Sequence, residues 1–141
     1  MPKVLFFAAA LFMSFLFAVS ISAQSGNVVL IKEREKQKIV INDNYYFTYI
    51  FSGKPKIGPS VIRISIFNKD GSQNTSLEIL GAYDMPQMRG HHSSGPVKFQ
   101  KNKTGDYLMP LNSVMRGKWE ILLEFQEDGE NIFTGVININ I

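Results

Sequence analysis

The sequence lacks cysteine altogether, since none of its 141 residues is a cysteine. A disulfide framework, a thiolate zinc site, a cysteine-ligated copper centre and a thiol nucleophile are therefore excluded. Histidine is nearly as scarce, with two residues in the chain. Charge is also low, because 15 basic and 12 acidic residues leave a formal net charge of +3. So small an excess does not indicate nucleic-acid binding.

One long apolar run is present, and it lies near the N-terminus. Lys3 precedes a nearly unbroken apolar stretch over residues 4–19, and small residues follow up to Ala23. This order is typical of a signal peptide. We therefore predict a signal peptide over residues 1–23 and an exported domain over residues 24–141, either periplasmic or secreted. An uncleaved membrane anchor is the alternative, because the run approaches the length that spans a bilayer.

The rest of the sequence consists of short apolar runs separated by turn residues, at spacings of roughly 8 to 12 residues. The clearest run is residues 118–126, where four apolar side chains alternate with polar ones. Asp-Gly pairs at residues 70–71 and 128–129 indicate hairpin turns. No helical period is present. The sequence therefore predicts an all-β protein, an immunoglobulin-like antiparallel β-sandwich of about seven to nine short strands.

Several of the predicted strands carry large aromatic side chains. Residues 45–51 form the most aromatic run, with alternate rings spaced to share one face of a strand. We expect these rings to pack in the core, and a carbohydrate-stacking platform is the alternative. Further along, Val97 and Phe99 alternate with polar residues, which predicts one strand over residues 95–100.

Both histidines of the chain and two of its six methionines lie in one stretch, residues 82–92. Two further methionines follow within residues 109–115. Thioethers and imidazoles together suit soft metals, and thioethers favour Cu(I) in particular. Zinc fits less well, because its usual ligands are Cys, His and carboxylates. We therefore predict a copper site, with Cu(I) favoured, whose candidate ligands are Met85, Met88, His91, His92, Met109 and Met115.

A regular strand does not bring these donors together, because residues three apart point to opposite faces. Pro86 and Gly90 argue against a continuous strand or helix through residues 84–92. A loop broken at these two positions lets the donors converge. The alternative is structural: methionine is a flexible apolar filler that suits the open end of a sandwich, and the histidines are then ordinary loop residues. Trp119 is expected to be a core residue.

Catalysis is not indicated by the same stretch. Hydrolysis needs a nucleophile, a base and a third group that orients the base. Ser93 and Ser94 beside His92 are the nearest approach to that arrangement. We therefore predict a binding protein rather than an enzyme.

Five short motifs follow one another over residues 50–127: the turn-rich segment 53–58, the turn at 68–71, Met85-Pro-Gln-Met88-x-x-His91, Gly105-x-Tyr107 and Met115-Arg-Gly117-Lys-Trp119. In this order they resemble the YtkA-like family and, more loosely, the FixH family. The resemblance implies an exported immunoglobulin-like β-sandwich found in contexts of copper handling or respiratory oxidase assembly. It also implies a membrane protein of one of those systems as partner. His92 lies outside the family pattern.

Two functions remain open on this basis. The first is an exported module that binds copper through its Met/His stretch for metal handling or oxidase assembly. The second is a metal-free interaction domain that docks on a membrane partner. Affinity for a soft metal, and its dependence on residues 85–92, separates the two.

Overall fold

The computed structural model describes residues 26–141, so the predicted signal peptide lies outside the described residues. Eleven strands and one short 3₁₀ helix at Pro86–Met88 follow one another. The strands are β1 (Val28–Ile31), β2 (Ile39–Val40), β3 (Tyr45–Phe51), β4 (Gly58–Asn68), β5 (Gln73–Asn74), β6 (Glu78–Asp84), β7 (Val97–Lys98), β8 (Gln100–Lys101), β9 (Tyr107–Ser113), β10 (Lys118–Glu127) and β11 (Glu130–Asn140). Between residues 26 and 141, no helix has the length and apolar character that crossing a membrane requires.

The strands form two sheets that pack face to face. The first has the order β1-β11-β10-β6-β7, and the second has the order β2-β3-β4-β9-β8 with β5 paired to β4. Neighbours are antiparallel except β1 and β11, which run parallel. The predicted β-sandwich is confirmed. The strand count exceeds the predicted seven to nine because β2, β5, β7 and β8 have two residues each, too few to leave an alternating pattern in the sequence.

The core lies between the sheets and follows from strict alternation along the long strands. In β10, the apolar side chains of one face are buried, from Trp119 at 1% exposure to Phe125 at 0%. The Phe125 ring packs on Phe47 of β3, with ring centroids 4.6 Å apart. Apolar burial of this kind is the main stabilising contribution in a chain without disulfides. Residues 26–141 therefore contain one hydrophobic core between two sheets.

The aromatic strand β3 packs in the core as predicted. Phe47, Tyr49 and Phe51 are buried. On the outer face, the Tyr46 ring stacks on Phe67 with centroids 5.1 Å apart, and the Lys38 ammonium lies 4.1 Å from the Tyr46 ring centroid. Ring contacts within the protein thus occupy Tyr46, which argues against an open carbohydrate platform.

The prediction of one strand over residues 95–100 is wrong, because the chain changes sheets within this range. β7 pairs with β6 in the first sheet, whereas β8 pairs with β9 in the second. Phe99 lies between the two short strands and is buried in the core. A Cβ atom on Gly81 would lie 2.6 Å from the Phe99 ring, so glycine is what lets this ring enter the core. The buried aromatic side chain is the physical reason for the crossing.

Two loops meet at one end of the sandwich. β6 ends at Asp84 directly beside Glu120, near the start of β10. The loop that follows β6 therefore lies next to the loop that joins β9 to β10. Backbone hydrogen bonds between Gly117 and Ile141, of 3.2 and 3.0 Å, hold the second loop to the C-terminal end of β11. This end carries the candidate metal ligands of residues 85–92.

Candidate functional site

The segment of residues 85–92, called the Met/His loop below, begins with a single 3₁₀ turn. Pro86 is the first residue of the turn, where its lack of an N–H group costs no hydrogen bond. The turn is closed by the Met88 N–H, which donates to the Met85 carbonyl at 2.9 Å. The loop therefore reverses direction immediately after β6 ends.

A second turn follows at once. The His91 N–H donates to the Met88 carbonyl at 3.1 Å. Arg89 has φ −48° and ψ 128°, and Gly90 has φ 81°, which are the angles of a type II turn. Such a turn needs a positive φ at its third position, and glycine adopts that angle without steric cost. Pro86 and Gly90 thus have the strand-breaking roles that the sequence predicted.

The two turns bring the backbones of three predicted ligands close together. In a turn of this kind the first and fourth Cα atoms lie within about 7 Å of each other. Met88 is the last residue of one turn and the first of the next, so its backbone is close to both Met85 and His91. A regular strand would have pointed the Met88 and His91 side chains to opposite faces.

The ligand candidates in the Met/His loop differ in their access to solvent. Met88 is 37% exposed, whereas Met85 is 4% exposed. His91 is exposed and His92 is half-buried. The Met85 methyl group packs on the backbone of Gly117, where an added Cβ atom would lie only 2.9 Å away. Met85 therefore fills the end of the sandwich, while Met88 and His91 are open to a ligand.

The other two methionines have different surroundings. Met109 is fully buried in the core, and its sulfur lies against Gly81. The structure thus places Met109 with the core and not with the Met/His loop. Met115 lies in the β9–β10 loop and is 37% exposed. Its carbonyl accepts a hydrogen bond from the Trp119 indole N–H at 3.1 Å, so Met115 belongs to the same end of the sandwich as the loop.

Trp119 lies beneath both loops. It is 1% exposed, and its ring centroid is 6.2 Å from that of His92 and 6.1 Å from that of Tyr83. Together with the hydrogen bond to Met115, these contacts join the Met/His loop to the β9–β10 loop. The sequence predicted Trp119 as a core residue, and alternation along β10 did not reveal its contacts with the loops.

Asp84 fixes the shape of the Met/His loop. Its Oδ1 accepts the Met85 N–H at 2.8 Å, and its Oδ2 accepts the Gly90 N–H at 3.0 Å. Arg89 is paired with Glu120 of β10, which ties the middle of the loop to the sheet. The hydrogen bond from Gly90 does most to lower the pKa of Asp84, the bond from Met85 and the charge of Arg89 also lower it, and burial opposes them. Sequence reasoning missed Asp84, because its role depends on a contact six residues away.

We expect Asp84→Asn to loosen the Met/His loop, because one amide oxygen cannot replace two carboxylate oxygens as acceptors. Amide hydrogen exchange at Gly90, measured by NMR at neutral pH, should become several-fold faster. The pKa of Asp84 is lower in the folded protein than the value of about 3.9 in the unfolded chain. The Asp84 carboxylate therefore stabilises the loop fully above the unfolded value, and this stabilisation is lost as the pH falls through the pKa of the folded state. Loosening of the wild-type loop on acidification should therefore begin only below about pH 4.

The exposed Asp43, which lies in the turn before β3, supplies the matched control. At every pH, the rate of amide hydrogen exchange at Gly90 should be the same in Asp43→Asn as in the wild type. Equal exchange rates for Gly90 in the wild type and in Asp84→Asn would show that the carboxylate does not hold the loop.

The serines beside His92 have structural roles. The Ser94 hydroxyl accepts the Tyr83 N–H at 3.0 Å and donates to the Gly95 carbonyl at 2.7 Å. The Ser93 hydroxyl accepts the Gly95 N–H at 3.2 Å. These bonds close the far end of the loop on β6.

The side chains at this end that could hold a metal ion carry thioether sulfur and imidazole nitrogen. In the described part of the chain, residues 26–141, no group of three or more His, Asp or Glu side chains is placed to hold a metal ion. The donors that remain available are the Met88 sulfur and the imidazoles of His91 and His92, with Met115 in the neighbouring loop. This set suits a soft ion such as Cu(I).

No family model matches the sequence, and no curated protein is significantly similar to it. A crystal structure of a DUF4426 family protein from Pseudomonas aeruginosa PAO1 has a similar fold, with a TM-score of 0.53 and 14% sequence identity. The similarity covers 75% of this chain and 96% of that chain. At this identity the likeness shows the fold alone, a small β-sandwich. Membership of the YtkA-like or FixH families stays a prediction.

Proposed function

We propose that the protein is an exported β-sandwich module that binds Cu(I) through the Met/His loop. The observation that carries the proposal is the pair of consecutive turns. It places Met88 within one turn of both Met85 and His91 and leaves Met88 and His91 open to solvent. Thioether and imidazole are the donors that Cu(I) prefers. Catalysis is not part of the proposal.

The family prediction belongs to the same proposal. Two of the five motifs that resemble the YtkA-like family are far apart in the sequence, one at residues 85–91 and one at residues 115–119. In the fold they are neighbours, because Met85 of the first packs on Gly117 of the second. Contact between the two motifs supports a shared site at this end of the sandwich. A membrane protein of copper handling or oxidase assembly is the proposed partner.

An anaerobic Cu(I) competition titration against a chromogenic chelator tests this function. The wild-type processed chain, residues 24–141, should bind one Cu(I) ion. A variant with Met88, His91 and His92 all replaced by alanine should not, because it loses the accessible donors of the Met/His loop while Met85 keeps its packing. Val114→Ala, at a 53% exposed position in the β9–β10 loop, is the control and should bind as the wild type does. Absence of competition by the wild type, or equal competition by the triple variant, would contradict the proposal.

A second candidate function rests on the apolar surface of the same end. Met88 and Met115 are each 37% exposed, and Val114 is 53% exposed. Exposed methionines suit adaptable protein contacts, so a metal-free docking module for a membrane partner is the alternative. In that case the wild type does not compete for Cu(I), and substitutions at these three positions weaken partner binding with or without metal.

A further inference from the structure

The outer edge of the first sheet exposes consecutive apolar side chains. Val28, Val29 and Leu30 of β1 are 59%, 44% and 50% exposed. Successive side chains of a strand point to opposite faces, so β1 is apolar on both faces. Exposed edge strands usually carry charge, proline or a bulge that prevents further contacts. In the part of the chain that the structure describes, residues 26–141, β1 has none of these, and β11 pairs with only one of its sides.

Basic residues follow this apolar edge directly. The segment from residue 32 to residue 38 holds four basic and two acidic residues, and all of its side chains are exposed. Its backbone is held to β3 by the Lys36 N–H, which donates to the Tyr49 carbonyl at 2.9 Å. Burial raises the pKa of Tyr49, and the charges of Glu35 and Glu33 raise it further.

The corresponding edge of the second sheet continues the same surface. Phe47 of β3 contacts Phe133 of β11, with ring centroids 6.0 Å apart, so β2 and β1 lie on one side of the sandwich. Val40 of β2 is 59% exposed, and Lys38 precedes it by two residues. Apolar side chains next to cationic ones thus extend over both edges.

We propose that this surface, residues 28–40 and called the β1 edge below, binds the surface of an anionic lipid bilayer. Val28, Val29 and Leu30 enter the interface, and Lys32, Arg34 and Lys36 contact the headgroups. Apolar insertion combined with basic side chains is the chemistry of reversible membrane-surface binding. The net positive charge of the segment is the complement of an anionic lipid surface. The proposal rests on export and not on copper.

Vesicle co-sedimentation of the processed chain tests this inference. We expect binding to vesicles of equal parts phosphatidylglycerol and phosphatidylcholine, and none to phosphatidylcholine alone. Replacing Lys32, Arg34 and Lys36 together by glutamine should weaken binding by about fivefold per basic residue. Val28→Ser combined with Leu30→Ser should weaken it about tenfold. All of these side chains are exposed, so the variants should unfold at the wild-type temperature. Ile57→Ser, at a 49% exposed position outside the β1 edge, is the control and should bind vesicles normally.

Two results would overturn the inference. The first is that the wild type binds anionic vesicles no more strongly than phosphatidylcholine vesicles, or that neither the Lys32/Arg34/Lys36 variant nor the Val28/Leu30 variant weakens its binding. The other is a concentration-dependent dimer in analytical ultracentrifugation that the Val28/Leu30 variant abolishes while vesicle binding persists, which would assign the β1 edge to a second copy of the chain. Both results are independent of the Cu(I) titration, so this inference and the copper proposal fail or stand separately.

Discussion

Replacing Trp119 with alanine is expected to lower the free energy of unfolding by about 3–5 kcal/mol. Trp119 is 1% exposed, and its removal leaves a large cavity between the sheets. The same change removes the indole hydrogen bond to Met115 and the ring contact with His92, so both end loops should become more mobile. Chemical denaturation measures the stability, and amide hydrogen exchange in the two loops measures the mobility.

Two variants control this experiment. Trp119→Phe keeps an aromatic ring in the core, so it should cost less stability than alanine and still lose the Met115 hydrogen bond. Leu122 lies on the outer face of the same strand and is half-buried, so Leu122→Ala should lower the free energy of unfolding far less. A loss below about 1 kcal/mol for Trp119→Ala would contradict the core position, and unchanged exchange in both loops would contradict its role in joining them.

Replacing Met88 or His91 alone with alanine is expected to reduce Cu(I) affinity by at least about 10-fold. Loss of a supporting group outside the ligand shell costs a metal site about 10- to 100-fold, and loss of a ligand should cost no less. Both side chains are accessible, so protein stability should stay at the wild-type value. Competition titrations of the two single variants and of the double variant measure the effect.

The double variant shows whether the two residues bind one ion. If they do, the second substitution should add much less than the first, because groups that act together are not additive. Met115→Ala tests the neighbouring loop. A loss of Cu(I) affinity in this variant would show that the β9–β10 loop contributes a ligand to the site. Two results would show that Met88 and His91 do not share a metal ion: a loss of Cu(I) affinity below about threefold in each single variant, or a loss in the double variant that equals the product of the two single losses.

Side-chain alternation predicted the sandwich well, because it records which face of a long strand is buried. Along β10 it identified every inward side chain. Along β9, Tyr107, Met109 and Leu111 occupy alternate positions and are all buried. That same pattern explains why Met109 lies in the core. Local alternation was therefore a better guide to Met109 than its closeness in sequence to other methionines.

What sequence reasoning could not supply depends on contacts between distant segments. The change of sheets at Phe99 requires the space left by Gly81, and two-residue strands carry no pattern of their own. At the candidate site, Pro86 and Gly90 predicted a broken strand but not which turns replace it. The hydrogen bonds of Asp84 to Met85 and Gly90 depend on the geometry of those turns. The contacts of Trp119 with both end loops depend on the pairing of β6 with β10.

X-ray absorption at the copper edge is the most direct test of the central claim, that methionine sulfur and histidine nitrogen of the Met/His loop hold one Cu(I) ion. The protein loaded anaerobically with one equivalent of Cu(I) is predicted to show both sulfur and nitrogen neighbours in few-coordinate geometry. Met88→Ala should reduce the sulfur contribution, and His91→Ala the nitrogen contribution. A copper environment of nitrogen and oxygen alone, or a spectrum that neither substitution changes, would contradict the account.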